Sequence, residues 1–149
     1  MREVILPNKQ EIIEENRKEI ERRLRIDPTA PEAFSVGEDR LNAVLDRMKK
    51  ECNESEWRKK IVKKTSFFIA GLSWAQPFGG ANKTTAVLIA LLFMRDNGFD
   101  LNIPPAEQNR LIDFMYEIQK ERSELNSQLV ESLILYVDQY TVVYDPKPR

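Results

Sequence analysis

Apolar positions along most of the chain recur at three- and four-residue spacing, the period of an α-helix. Ile12, Ile13, Ile20 and Leu24 mark one narrow stripe in an otherwise charged stretch, predicting a helix over 9–25 with a single buried face. Asn8 ahead of Lys9-Gln10-Glu11 is a capping-box-like start for it. Asp27-Pro28 and Ala30-Pro31 break the pattern, and 29–37 reads as a loop or short hairpin. A second helix is expected over 38–50, with Leu41, Val44, Leu45 and Met48 inward. Asn53-Glu54-Ser55-Glu56 offers another capping box, opening a helix that reaches residue 75.

Two segments are apolar on nearly every side and therefore belong in the interior. One is Phe67-Phe68-Ile69-Ala70-Gly71-Leu72-Ser73-Trp74-Ala75; the other runs from Ala86 to Met94. Thr84 or Thr85 is the expected start of the second, and Asn97-Gly98 its C-cap, glycine tolerating left-handed backbone. Pro104-Pro105 puts proline at the start of a helix reaching residue 121, and another is expected over 127–139. The stretch 141–144 reads as extended and 146–149 as fraying. No repeat or linker divides the chain, so 1–149 reads as one compact all-α domain around a central buried helix pair.

Composition narrows the chemistry. The 149 residues carry 23 Lys+Arg against 24 Asp+Glu, a balance that argues against a general nucleic-acid binder. Apolar residues at 42% are too many for disorder, while charged residues at 32% are too many for a membrane protein. The apolar run 86–94 falls short of the roughly 20 residues that cross a bilayer. The first residues hold no long apolar region and no cleavage site, so a secretory signal is not expected, and the location inferred is cytoplasmic. The chain has no histidine, which excludes histidine acid–base chemistry, Cys–His nucleophiles and His-ligated zinc. Cys52, the one cysteine, reads as a half-buried or surface thiol rather than a nucleophile. Arg58, Lys59, Lys60, Lys63 and Lys64 read as a solvated helix face.

The bend between the two apolar helices is the informative place: Gln76-Pro77-Phe78-Gly79-Gly80-Ala81-Asn82-Lys83-Thr84-Thr85. A glycine-containing turn feeding a helix N-terminus gathers unpaired N–H groups and the positive end of the helix dipole, which together favour an anion. Gly79, Gly80, Ala81, Asn82, Lys83, Thr84 and Thr85 are the candidate anion- or nucleotide-binding residues. It is not a P-loop, because the GxxxxGK[ST] spacing is missing. Taken without context, a Gly-Gly turn with threonine capping is more often plain structure.

Together with Ala90-Leu91-Leu92-Phe93-Met94-Arg95-Asp96-Asn97-Gly98, this run resembles the core of Fic/Doc proteins. It is closest to the death-on-curing branch, whose signature has the form H-x-F-x-D-[AG]-N-K-R-T-A followed by an apolar helix ending in N-G. Asp39-Arg40-Leu41-Asn42-Ala43-Val44-Leu45 resembles the family's early helix; the specific match is confined to 76–98. The resemblance implies an all-α fold, with an upstream hairpin, the flap, that holds a target segment. It also implies transfer of AMP or phosphate from a nucleotide such as ATP, with Mg²⁺, onto a protein hydroxyl.

Carried over residue by residue, the chemistry is missing. Gln76 stands where the family has its basic histidine, and an amide takes no proton. Gly80 replaces the metal-holding acid and gives Mg²⁺ no ligand. Thr84 stands at the arginine position, and the later phosphate-gripping position falls at Val87 or Leu88. Pro77, Phe78, Ala81, Asn82, Lys83, Thr85 and Ala86 match, with Pro77 and Phe78 shaping the loop. Losing the base alone typically costs roughly 10²–10⁴-fold in rate. Ser127-Gln128-Leu129-Val130-Glu131-Ser132 resembles the inhibitory helix [ST]-x-x-x-E-[GN] of some Fic proteins, with Ser132 in place of Gly or Asn. Its pair Ser127 and Glu131 is more simply read as solvated helix surface.

The sequence therefore reads as a degenerate Fic/Doc-like protein that acts by holding a nucleotide or other anion, or a protein partner (a target, or an antitoxin-like protein). The alternative is an active toxin-like nucleotidyl- or phosphotransferase with altered catalytic residues. On this reading Asn82→Ala leaves the fold intact and weakens anion affinity.

Overall fold

The computed structural model describes residues 2–145. Six α-helices carry most of the chain: α1 (Lys9–Ile26), α2 (Glu38–Lys50), α3 (Trp57–Ala75), α4 (Asn82–Asp96), α5 (Gln108–Lys120) and α6 (Ser127–Tyr140). A single 3₁₀ turn, Pro105–Glu107, leads into α5. The expected fraying of 146–149 lies outside the described residues.

Local chemistry accounts for most boundaries. The Asn8 side chain accepts from the N–H of Gln10 and Glu11, and Asn126 does the same for Gln128 and Leu129, so both helices start on a side-chain cap. Asn97 ends α4, and Gly98 follows with φ +94°, a left-handed turn that glycine adopts without strain. The capping box expected at Asn53 does not form. Asn53 instead donates to the Lys50 carbonyl at 2.9 Å, closing α2, and α3 begins at Trp57 with no side-chain cap. Nor does α4 start at Thr84 or Thr85: its first residue is Asn82, because the Thr85 N–H already reaches the Ala81 carbonyl at 3.0 Å.

The apolar pair is central as expected. α3 packs against α2, α4, α5 and α6, while α1 packs on α4. Ile61, Phe68, Ile69 and Leu72 of α3 meet Met94 of α4 and Leu133 of α6 in one core, all completely buried. Behind α4, β1 (Phe99–Leu101) pairs antiparallel with β2 (Thr141–Val143), with Phe99 opposite Val143 and Leu101 opposite Thr141. The extended tail is thus a strand tying the last helix to the end of α4. Residues 29–37 take the loop alternative, with one isolated bridge from Val36 to Phe78.

The basic face of α3 is not wholly solvated. Lys64 is 3% exposed, and its ammonium donates to the carbonyls of Met48, Lys49 and Glu51, satisfying the end of α2. Among the described residues, no helix is long and apolar enough to cross a membrane.

Candidate functional site

The bend joining α3 to α4 is held in a tight, partly strained shape. Gln76 follows α3 with φ +47° and ψ 62°, and Ala81 precedes α4 with φ +56° and ψ 27°, so left-handed residues bracket the loop. Neither is glycine, and such conformations cost roughly 1–2 kcal/mol each. Between them, Phe78 is driven into the core at 5% exposure. Asn82 pins it from both sides, accepting from the Phe78 N–H and donating to the Phe78 carbonyl, each at 3.0 Å. Both polar atoms of the Asn82 amide are engaged in the loop's own backbone, so the Asn82 side chain staples the bend.

Residues upstream of α2 lie over this bend. Gly79 N–H donates to the Ser35 carbonyl at 3.2 Å, and Gly37 N–H to the Pro77 carbonyl. Glu32 arrives by the same route. Its Oε1 accepts from the Ala81 N–H at 3.4 Å and from the guanidinium of Arg23. Arg23 is shared three ways: it also donates to Glu19 at 3.1 Å and to the Thr84 hydroxyl at 2.8 Å. Arg22 grips Glu19 as well, and this hydrogen bonding, aided by Arg23, holds the Glu19 carboxyl below its ordinary range against the opposing effect of burial. Completely buried Asn16 of α1 donates to the Gly80 carbonyl at 2.9 Å and to the Thr85 hydroxyl at 3.1 Å; its own oxygen has no partner.

Beside the bend, α4, α5 and the end of β1 enclose a cavity of about 750 Å³. Val87, Leu88, Leu91, Leu111, Ile112 and Met115 form its apolar walls; Arg23, Glu32, Lys83 and Thr84 lie at its polar end. Lys83 hydrogen-bonds Gln119 and stands 4.6 Å over the ring of Tyr116, and burial pushes its ammonium below the ordinary lysine range. Leu88, Leu92, Ile112 and Tyr116 are exposed on these two helices.

Of the residues marked in the sequence, Gln76, Phe78, Gly79, Gly80, Ala81, Asn82, Lys83 and Thr84 all line this one cavity. Pro77 and Thr85 are buried behind it. Ser127 and Glu131 are exposed on α6 and do not line it. Sequence reasoning missed Asn16, Arg23 and Glu32. The first two carried a signal: Asn16 lies four residues after Ile12 and Arg23 three after Ile20, helical spacings that turn polar residues toward the buried face. Glu32, in a loop, carried none. The fold brings the Arg23 guanidinium from α1 to the Thr84 hydroxyl.

Two fits can be judged from these residues. The first-turn N–H groups of α4 have no intrahelical acceptors, and a carboxylate already stands against that end, so the bend fits an anion. A resident Mg²⁺ does not fit: Glu32 is the sole acid lining the cavity and is bound by Arg23. A Cβ on Gly80 would lie 2.8 Å from Glu32 Cγ, so an acid in its place would have to displace Glu32. Gln76 keeps its Nε2 buried without a partner. No protein-family model matches the chain, and no curated protein and no solved structure matches it.

Proposed function

We propose that this chain is a degenerate Fic/Doc-like protein that binds rather than transfers. Its bend receives a negatively charged group, and the adjoining apolar cleft receives the body of a partner protein. The observation that carries this reading is Glu32 at the N-terminal end of α4. A side chain of the protein itself stands against the N-cap N–H of α4, beside the first-turn N–H groups where the resemblance would seat phosphate, and it pairs with Arg23. Gln76 in place of the base and Gly80 in place of the acid remove the two groups that the resemblance implies for deprotonating an acceptor hydroxyl and holding the metal, and the one carboxylate in the cavity, Glu32, is tied up by Arg23. Exposed Leu88, Ile112 and Tyr116 at the cleft, with Leu92 also exposed on α4, support a protein partner, since exposed large apolar side chains on two adjoining helices suit a protein surface.

The test combines melting curves in ATP, with and without Mg²⁺, with label transfer from radiolabelled ATP to added protein. Binding without turnover predicts a small stabilisation by ATP that Mg²⁺ does not enhance, and no transferred label. Label transfer above background, or stabilisation that requires Mg²⁺, refutes the proposal.

A further inference from the structure

A second cavity, of about 400 Å³, lies between α2, α3 and the loop from α5 to α6, and shares no lining residue with the first. Its composition is lopsided: Arg40, Arg47 and Arg122 line it together with Phe67, Trp74 and Leu125, and no acid does. Phe67 and Trp74 are seven residues apart on α3, so both rings stand on one helix face. Trp74 is fixed by its indole N–H, which donates to the Glu121 carbonyl at 2.7 Å and so also anchors the backbone next to Arg122. Arg47 stacks 5.1 Å over Phe67 and pairs with Glu51 at 3.0 Å. Arg40 and Arg122 are exposed, and among the described residues neither has an ion-pair or hydrogen-bond partner.

We infer that this cavity binds a small aromatic phosphate monoester, with its ring against Phe67 and Trp74 and its phosphate between Arg40 and Arg122. The volume is that of a small-molecule site. Two unpaired guanidiniums offer the forked donors that match phosphate oxygens, and the aromatic walls supply area for a flat apolar body. A neutral aromatic would leave both cations unanswered, and inorganic phosphate would leave both rings uncovered.

Calorimetric titration tests this, with 1-naphthyl phosphate as probe and 1-naphthol and inorganic phosphate as the two halves of it. The expected result is saturable binding of 1-naphthyl phosphate and at least roughly tenfold weaker binding of either half. Arg40→Gln and Arg122→Gln should each weaken the probe by about tenfold while leaving the melting temperature unchanged, since neither side chain is engaged in the fold. AMP and phosphotyrosine then separate the sources: tighter AMP assigns a nucleotide, tighter phosphotyrosine a modified side chain. No saturation up to about 1 mM, equal affinity for 1-naphthol, or indifference to both substitutions overturns the assignment. Because neither arginine lines the first cavity, this failure is separable from failure at the α4 end.

Discussion

Asn82 holds Phe78 by both of its backbone groups, with the N–H and the carbonyl each 3.0 Å from the Asn82 amide. The pair is buried, so breaking it exposes nothing to water and strands two polar backbone groups. Asn82→Ala should therefore destabilise the protein by about 2–4 kcal/mol, one net hydrogen bond for each group plus part of their desolvation penalty. Urea denaturation measures it. A loss below about 0.5 kcal/mol would show that the bend keeps its shape without the staple.

Gln76 carries strain of its own: it is a left-handed residue whose side-chain Nε2 is buried without a partner. Glycine is the residue that helix ends prefer in this conformation. Gln76→Gly is expected to raise stability by about 1 kcal/mol, a gain of roughly 2–4 °C in Tm for a chain of this size. On the proposed Fic/Doc-like reading, Gln76→His supplies a base but no metal-holding acid, and should leave label transfer at background. Lower stability in the glycine variant would mean that the glutamine side chain contributes packing that outweighs its strain.

The helices were legible because their apolar spacing and caps are local: Asn8 and Asn97-Gly98 each announce an end within a few residues. The all-apolar character of 67–75 and 86–94 likewise placed α3 and α4 inside. What could not be read were meetings across the chain. Glu32 reaches Ala81 across 49 residues and Asn16 reaches Gly80 across 64, and no spacing rule links such positions. Lys64 was misread because a run of lysines looks the same whether its stems lie in water or one of them turns inward to the end of a neighbouring helix. The stapling role of Asn82 was not legible either, since a polar residue in a glycine-rich turn suits a ligand and a staple equally.

Lys64 donates to three carbonyls at the end of α2, the nearest, Met48, at 2.6 Å. Lys64→Met keeps the stem and removes the ammonium. It should cost about 2–4 kcal/mol, since the last carbonyls of α2 lose their donor where water enters poorly. Hydrogen exchange should show the loss concentrated at residues 45–51. Uniform loss of protection over the chain would mean that the ammonium does not act through the α2 terminus.

Cys52 is half-buried with φ +68°, and burial pushes its thiol up from the ordinary 9.0 to about 11. Alkylation by iodoacetamide in the native protein should stay slow through pH 9 and climb toward pH 11, while the urea-unfolded chain reaches half its maximal rate near pH 9. The linkage sign follows. A folded pKa above the unfolded one means that the unfolded chain gives up its proton first. Stability from this group is intact below pH 9 and is lost as the pH rises toward about 11. Native and unfolded profiles that coincide would place the thiol in water.

Glu32 offers the most direct handle on the proposed function, because Glu32→Gln keeps the side chain's size and hydrogen-bonding reach and removes only its charge. The α4 end then loses its resident anion, and Arg23, still paired with Glu19, regains part of its positive field. A charge at a helix N-terminus is worth about 0.3–1 kcal/mol when exposed and up to about 2 kcal/mol when partly buried. Inorganic phosphate and ATP should consequently bind Glu32→Gln about 3- to 30-fold more tightly than the parent. The substitution should cost little stability, since the ion pair it breaks is partly solvated. Calorimetric titration without Mg²⁺ reads the change, and label transfer should remain at background in both proteins. Equal affinity in the two would mean that the carboxylate does not occupy the anion position, and the binding role assigned to the bend would fall with it.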